Sequence, residues 1–501
     1  MKSLKIKYIV IAGFAFSAIT SCSNDFLEVK SDGKVLTSNY YQTQDQAYSG
    51  LVAVYDAMRK NSGGFENMIT MMNAGSDDNL AGGGGATDGL GIQSFSNYTE
   101  NAYSVPQSFW SDHYQGIFRA NILLQKIPGV SMDDNLKVRY TAEARALRAI
   151  YYFNLVRMFK NIPLITEPLT ATNMYDVTQA SPAAVYAQIE SDLLAAKDNL
   201  PSSLPSSEAA RLTKGAVTAM LGKVYLYDGK PALAAAQLAD VNGTPGGTSQ
   251  YGYHLLSNFS DLWTTSNKFN TESILEVAHT SAGNSYWGIW GSGSDEGNSV
   301  NVMAGPRGYV KIGSLAPNLP SGWSFNVFTQ DFVTAMTGDP RFTATVLDLK
   351  TMKTNGQADY IQGYQDTGYF LNKFIPRQSD VTTGQGDAVL NYKQDSYVIR
   401  LADTYLLEAE ALGGSGARAQ ALLDAVRSRA GLSSVPVSLV AIKAERRLEL
   451  AGEGHRFFDL VRWGDAASKL ASRGFVAGKN EIFPIPYKEL LNTKLVQNLG
   501  Y

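Results

Sequence analysis

Apolar residues recur every three or four positions in two widely separated parts of the chain, a spacing that packed amphipathic helices satisfy and strands do not. Tyr40, Ala47, Leu51, Val54, Tyr55 and Met58 share one face before Ser62-Gly63-Gly64 ends the run. The spacing predicts further helices over 108–127, 136–159, 182–199, 213–228 and 231–240, then over 397–412, 417–430, 438–451 and 455–472. Pro182 and Pro231 suit a first helical turn, where a missing N–H is no loss. Between the two blocks, residues 242–396 are rich in Gly, Ser, Asn, Thr and aromatics, which predicts loops, short strands and short helices. Residues 61–107 read as a long polar loop containing Gly82 to Gly85, Asp77-Asp78-Asn79 and Asn97-Tyr98. Irregular segments of that length are usually functional or mobile.

Two helix pairs carry a tetratricopeptide-like pattern, in which small residues at fixed offsets let paired helices approach closely. Gly222, Tyr225, Ala234 and Leu238 form one unit, and Ala409, Leu412, Ala421 and Ala425 form another. Their separation excludes a simple tandem array. The expected fold is therefore mostly α: a tetratricopeptide-like helix-pair scaffold, mainly 40–60, 108–240 and 397–472, with a large irregular loop-rich insert.

The chain has 501 residues, 44% of them hydrophobic, which is ample for a sizeable core. A formal net charge of -3 offers no positive field for polyphosphate, so nucleic acid is not an expected partner. Lys2, Lys5 and Lys7 precede an apolar run from Tyr8 to Ile19 and then Thr20-Ser21-Cys22, a pattern that reads as a secretory signal over 1–21. The apolar run is far shorter than the roughly 20 residues needed to cross a bilayer. Cys22 is the only cysteine. Its place at the end of the run resembles a bacterial lipobox, with lipid on Cys22 and a tether over 22–39.

Few groups suggest catalysis. The four histidines are scattered at 113, 254, 279 and 455, and no nucleophile elbow, phosphate loop or dinucleotide fingerprint appears. His455 and Asp459 stand one helical turn apart, but with Arg456 and Arg462 they read as ion-pairing groups fixing a helix junction, with Asp465 and Lys469 adding a pair. Asp77, Asp78 and Asn79 hold hard oxygen ligands without the spacing of a dedicated calcium loop. No cofactor or metal is expected.

The aromatics of the insert carry more. Tyr286, Trp287 and Trp290 lie among Gly, Ser and Asn, and Trp323 follows Pro320-Ser321-Gly322, outside any helical stripe. Sugar rings present flat C–H faces that stack on Trp and Tyr, while nearby polar side chains bond the hydroxyls. Two readings stay open: a glycan platform, or the insert's own small core. The candidate ligand contacts are Trp287, Trp290 and Tyr286, followed by Trp323, Asp78, Asn79 and Tyr98.

Several runs together resemble the SusD/RagB family: Phe109-Trp110-Ser111 through Arg119-Ala120-Asn121, the helix from Ala142 to Ala149 continuing into Tyr151-Tyr152-Phe153, and Gly222 to Tyr227. Further along come Glu272-Ser273-Ile274, Asp339-Pro340-Arg341-Phe342, Arg400-Leu401-Ala402-Asp403, Glu445 to Leu450, Gly454 to Gly464, and Asn498 to Tyr501. The resemblance implies a surface-exposed outer-membrane lipoprotein that is not an enzyme, binds an oligosaccharide, and passes it to a SusC-like TonB-dependent transporter. It also implies ligand contacts in the insert and in the loop after the first helix. A peptide-binding member of the same family and a surface glycoside hydrolase are the rival readings.

Overall fold

The computed structural model describes residues 40–501. The signal, the tether and Cys22 lie outside the described residues. Helices dominate: α1 (Gln44–Tyr55), α2 (Met68–Ala74), α3 (Leu90–Ser96), α4 (Gln107–Lys126), α5 (Asp134–Phe159), α6 (Pro182–Lys197), α7 (Lys214–Tyr227) and α8 (Pro231–Asn242) precede the insert. After it come α9 (Leu401–Ala411), α10 (Gly416–Arg429), α11 (Leu439–Glu449) and α12 (Arg456–Arg462). Starts are set by local chemistry. Thr43 and Gln46 form a capping box at α1, and Asp133, Ser181, Thr213 and Ser438 accept from the first-turn amides of α5, α6, α7 and α11.

Helices α4 to α8 pack each on the next, with α1 laid against α4 and α5. Helix α8 then packs on α9, so the two sequence blocks form one continuous stack despite the excursion between them. Asn242 at the end of α8 donates to Thr404 O at 3.1 Å and to Glu408 at 2.8 Å, and Lys223 of α7 pairs with Asp403 of α9 at 3.0 Å. The small-residue pattern has its expected cause at Gly222: a Cβ there would stand 2.6 Å from Leu238 Cγ, so only glycine lets α7 and α8 meet. In the second unit the register differs. Ala421 faces solvent, and Ala419, Leu422, Leu423 and Val426 supply the buried face of α10.

Three further expectations are corrected. The stretch from Ser396 to Arg400 is a strand, antiparallel to Ser273–Val277, and α9 begins only at Leu401. Its aromatic and β-branched residues Tyr397, Val398 and Ile399 extend the apolar stripe of α9 but favour the pleated surface. Residues 62–106 are largely interior: every residue of α2 is buried, as is all of α3 but Leu90. The last predicted helix is broken, with α12 ending at Arg462 and a second short helix at Ala466–Leu470.

The strand pair Ser273–Val277 and Ser396–Arg400 carries the chain out of the scaffold and back. At its scaffold end, buried Arg400 bonds Glu272 at 2.9 Å, Glu449 at 2.6 Å and Glu453 at 2.8 Å. Arg341 and Lys373, both from the insert, join through Glu449 at 2.6 Å and Glu453 at 2.8 Å. The insert otherwise has a core of its own, which includes Phe328, Phe332, Met336, Phe370 and Phe374. None of the described helices is long and apolar enough to cross a membrane.

Replacing Gly222 by Leu should overpack the α7–α8 contact and cost on the order of 1–3 kcal/mol. Urea unfolding checks this; a variant as stable as the native chain would contradict the close contact.

Candidate glycan-binding site

The loop from Tyr286 to Glu296 and the turn at Gly322 to Asn326 bring three indoles together, although the sequence separates them. Trp287 and Trp323 lie stacked at 5.9 Å between centroids and 24° between planes. Trp290 meets both edge-on, 5.5 Å from each, at 84° to Trp287 and 77° to Trp323. Offset-stacked and edge-to-face pairs are the arrangements that the ring quadrupole favours. Trp287 is 53% exposed and Tyr286 50%, whereas Trp290 and Trp323 are half-buried.

Each ring is fixed from behind. Trp290 Nε1 donates to Ser299 Oγ at 2.8 Å, and its ring meets Phe65 at 5.6 Å and 80°. Trp323 N donates to Val302 O at 2.9 Å, and the next two amides donate to Gly305 O and Met303 O, both at 2.8 Å. This tight apposition requires glycine: a Cβ on Gly322 would fall 2.5 Å from the Gly305 backbone. Ser324 and Asn326 take up positive φ values of 63° and 57° beyond it. Trp287 N donates to Asp387 at 3.1 Å. Trp290 is therefore the buttress, Trp287 is the exposed ring, and Trp323 is half-buried between them and Phe65.

Arg307, which pattern reading missed, borders Trp323. Its Nη2 lies 3.4 Å from Asp88 and 3.5 Å from Trp323 O, and Asp88 also accepts from Gly84 N at 2.6 Å. The only signal in the sequence is its place in Gly305-Pro306-Arg307-Gly308, a turn within the insert.

Asp78, Asn79 and Tyr98, expected as ligand contacts, are not at this surface. Asp78 is buried and accepts from Arg447 Nε at 2.6 Å. Burial, then the adjacent Asp77 charge, pushes its carboxyl up to about 6. Asn79 donates to Asn326 O at 2.8 Å, and the Tyr98 hydroxyl donates to Gly75 O at 2.5 Å. Asp78 thus ties the segment after α2 to α11, Asn79 ties it to the insert, and Tyr98 closes it on itself. Asp77 is bound bidentately by Arg456 at 2.7 and 2.8 Å, so the acidic run is neutralised by arginines, and no metal-binding group of His, Cys, Asp or Glu occurs among the described residues.

The block around His455 is scaffold. Asp459 pairs with Arg446 at 3.0 Å and with Arg462 at 3.0 Å. Burial holds the His455 ring down at about 4, so it is neutral at pH 7. Asp465 pairs with Lys443 at 2.7 Å rather than with Lys469, because the helix break after Arg462 turns it toward α11.

Comparison with known proteins agrees with this architecture. The family model described as "SusD family" matches residues 329–480, and one described as "Starch-binding associating with outer membrane" matches residues 25–226. A solved structure titled "Laminarin binding SusD-like protein" is 64% identical, covers 92% of this chain and 100% of its own, and superposes with a TM-score of 0.91.

The chain belongs to the SusD family.

Two more distant SusD relatives extend the likeness. Surface glycan-binding protein A from Bacteroides fluxus is 27% identical, with 92% of this chain and 100% of that one covered and a TM-score of 0.79. SusD-like protein P25 of Formosa agariphila is 24% identical over 99% of this chain and 100% of its own length.

Because Trp290 is wedged and hydrogen-bonded, Trp290→Ala should destabilise the protein by about 3 kcal/mol, the lower end for removing a packed large aromatic. Calorimetric melting tests this; an unchanged melting temperature would mean that Trp290 is not a buttress.

Proposed function

We propose that this SusD family member is a surface glycan-binding lipoprotein, held by lipid on Cys22, that captures a glucan of the laminarin kind on Trp287 and Trp323 and delivers it to a SusC-like TonB-dependent transporter. The observation that carries the ligand reading is the offset-stacked pair of exposed Trp287 and half-buried Trp323, braced by Trp290. A rigid apolar surface of this kind matches the C–H faces of consecutive hexoses, and Arg307 and Asp88 stand beside it to bond hydroxyls. The 64% identical relative is named for laminarin binding, which favours a glucan over a peptide. Its outer-membrane role rests on the same kinship and on the description of the matched starch-binding family.

A non-catalytic role agrees with the site. Asp88 and Asp387, the carboxylates bonded next to the platform, are each engaged by backbone amides, Gly84 N at 2.6 Å and Trp287 N at 3.1 Å. Both carboxylates are thus occupied in holding the loops around the platform. The relatives, too, are named as binding proteins. Incubation of the protein with laminarin should therefore release no shorter product.

Truncating either platform ring removes apolar contact at about 25 cal/mol per Å2, on the order of 1–2 kcal/mol for partial coverage by a sugar. Trp287→Ala and Trp323→Ala should each weaken laminari-oligosaccharide binding roughly tenfold in titration calorimetry. Trp287→Ala should keep the native melting temperature, its ring being the exposed one. Native affinity in both variants would refute the platform.

A further inference from the structure

The loop that carries the platform has a second half with a different neighbourhood. At its middle, Arg59 Nε donates to Ser292 O at 2.9 Å and Nη2 to Gly291 O at 3.4 Å. Gly291 N donates to Asp295 Oδ2 at 2.8 Å. Gly291 lies against Gly64, where a Cβ would come within 3.0 Å of the Gly291 Cα. Beyond this clamp, residues 293–296 form one wall of a cleft of about 610 Å³. The facing wall is α1 with Arg59 and Arg119, and Leu275 and Val277 of the outgoing strand contribute apolar surface. That volume lies within the ~300–1,000 Å³ typical of small-ligand sites.

The charges around the cleft are of both signs. Arg119 Nη1 bonds Asp56 at 2.6 Å and Ala53 O at 2.8 Å, while its Nε and Nη2 have no hydrogen-bond partner among the described residues. Asp56 is paired with Arg119 on that wall, and Asp295 and Glu296 line the cleft from the loop. A small anion or cation would meet opposed charges here. A neutral polyhydroxyl, whose groups both donate and accept, fits such a lining and can lay C–H faces on the exposed Val52.

We propose that this cleft is a second subsite for the same glycan chain, receiving the sugar units that run from the tryptophan platform past the Gly291 turn. The inference rests on the platform reading above. It gives the loop one purpose on both faces: aromatic stacking from its first half, and hydroxyl recognition between its second half and Arg119.

The test is titration calorimetry of the full chain with laminari-oligosaccharides of increasing length, using the native protein, Arg119→Ala, Ser294→Tyr and Trp287→Ala. For the native protein, affinity should keep rising with length beyond the units the platform can cover. Arg119→Ala should weaken the longest oligomers about tenfold, the effect of losing a charged hydrogen-bond donor, and leave the shortest bound as before. Ser294→Tyr, which narrows the cleft from the exposed side of the loop without disturbing Asp56, should do the same even if Arg119→Ala perturbs folding. Trp287→Ala should weaken every length. Native affinity for the longest oligomers in a folded Arg119→Ala and in Ser294→Tyr would overturn the subsite while Trp287→Ala still tests the platform separately. A native affinity that stops rising once the platform is covered would also overturn it.

Discussion

The buried ion pairs around Arg400 and Glu449 are the constraint on which the rest of the molecule depends. Arg400 ends the strand that returns from the insert, Glu272 immediately precedes the strand that leaves, and Glu449 and Glu453 come from the end of α11 and just beyond it. Arg429 of α10 pairs with Glu272 at 2.7 Å and contacts Glu449, and Arg341 of the insert joins Glu445 and Glu449 at 2.7 and 2.6 Å. Charges taken out of water cost several kcal/mol each unless geometry and partners are nearly complete, so such a cluster tolerates one arrangement. Burial alone pushes the Glu449 carboxyl up, yet Arg429, Arg400 and Arg341 together hold it well below the usual carboxylate range. The cluster fixes how the insert meets the helical stack, and with it the direction in which the tryptophan loops project.

From that junction to the platform the connection is made by glycine contacts and backbone hydrogen bonds. The Gly305–Gly322 apposition and the positive φ values at Ser324 and Asn326 are conformations that only surrounding structure can hold. They place Trp323 beside a loop that starts almost forty residues earlier in the chain. Rings held this way lose little freedom on binding, which is the physical advantage of a preformed stacking surface. The same logic makes Trp290 a support more than a contact: its N–H is committed to Ser299 and its ring is wedged among Phe65, Trp287 and Trp323.

Helices were legible in the sequence because their apolar period is local, and Gly222 was legible because a single steric requirement explains it. The insert aromatics were legible as a group, since Trp287, Trp290 and Trp323 lie outside any helical stripe. What the pattern could not show is which partner each polar residue finds. Asp77-Asp78-Asn79 looks like a solvent-facing acidic turn until Arg447 and Arg456, almost four hundred residues later, are folded onto it. Tyr98 looks like a loop aromatic until its hydroxyl closes on Gly75 O. Residues 397–400 read as helix for the converse reason: an apolar run next to a helix carries no local mark of the strand 273–277 that pairs with it. Arg307 shows the same limit, since its value lies in standing beside Trp323.

The central claim is that sugar lies on the outer faces of Trp287 and Trp323. Six tryptophans give six indole N–H signals, at 110, 263, 287, 290, 323 and 463. The most direct measurement is a nitrogen–proton NMR titration of those indoles with a laminari-oligosaccharide, assigned by single substitutions. The account expects the Trp287 and Trp323 signals to move in a saturable way, Trp290 to follow weakly, and Trp110, Trp263 and Trp463 to stay in place. Saturable binding that leaves Trp287 and Trp323 unmoved would contradict it.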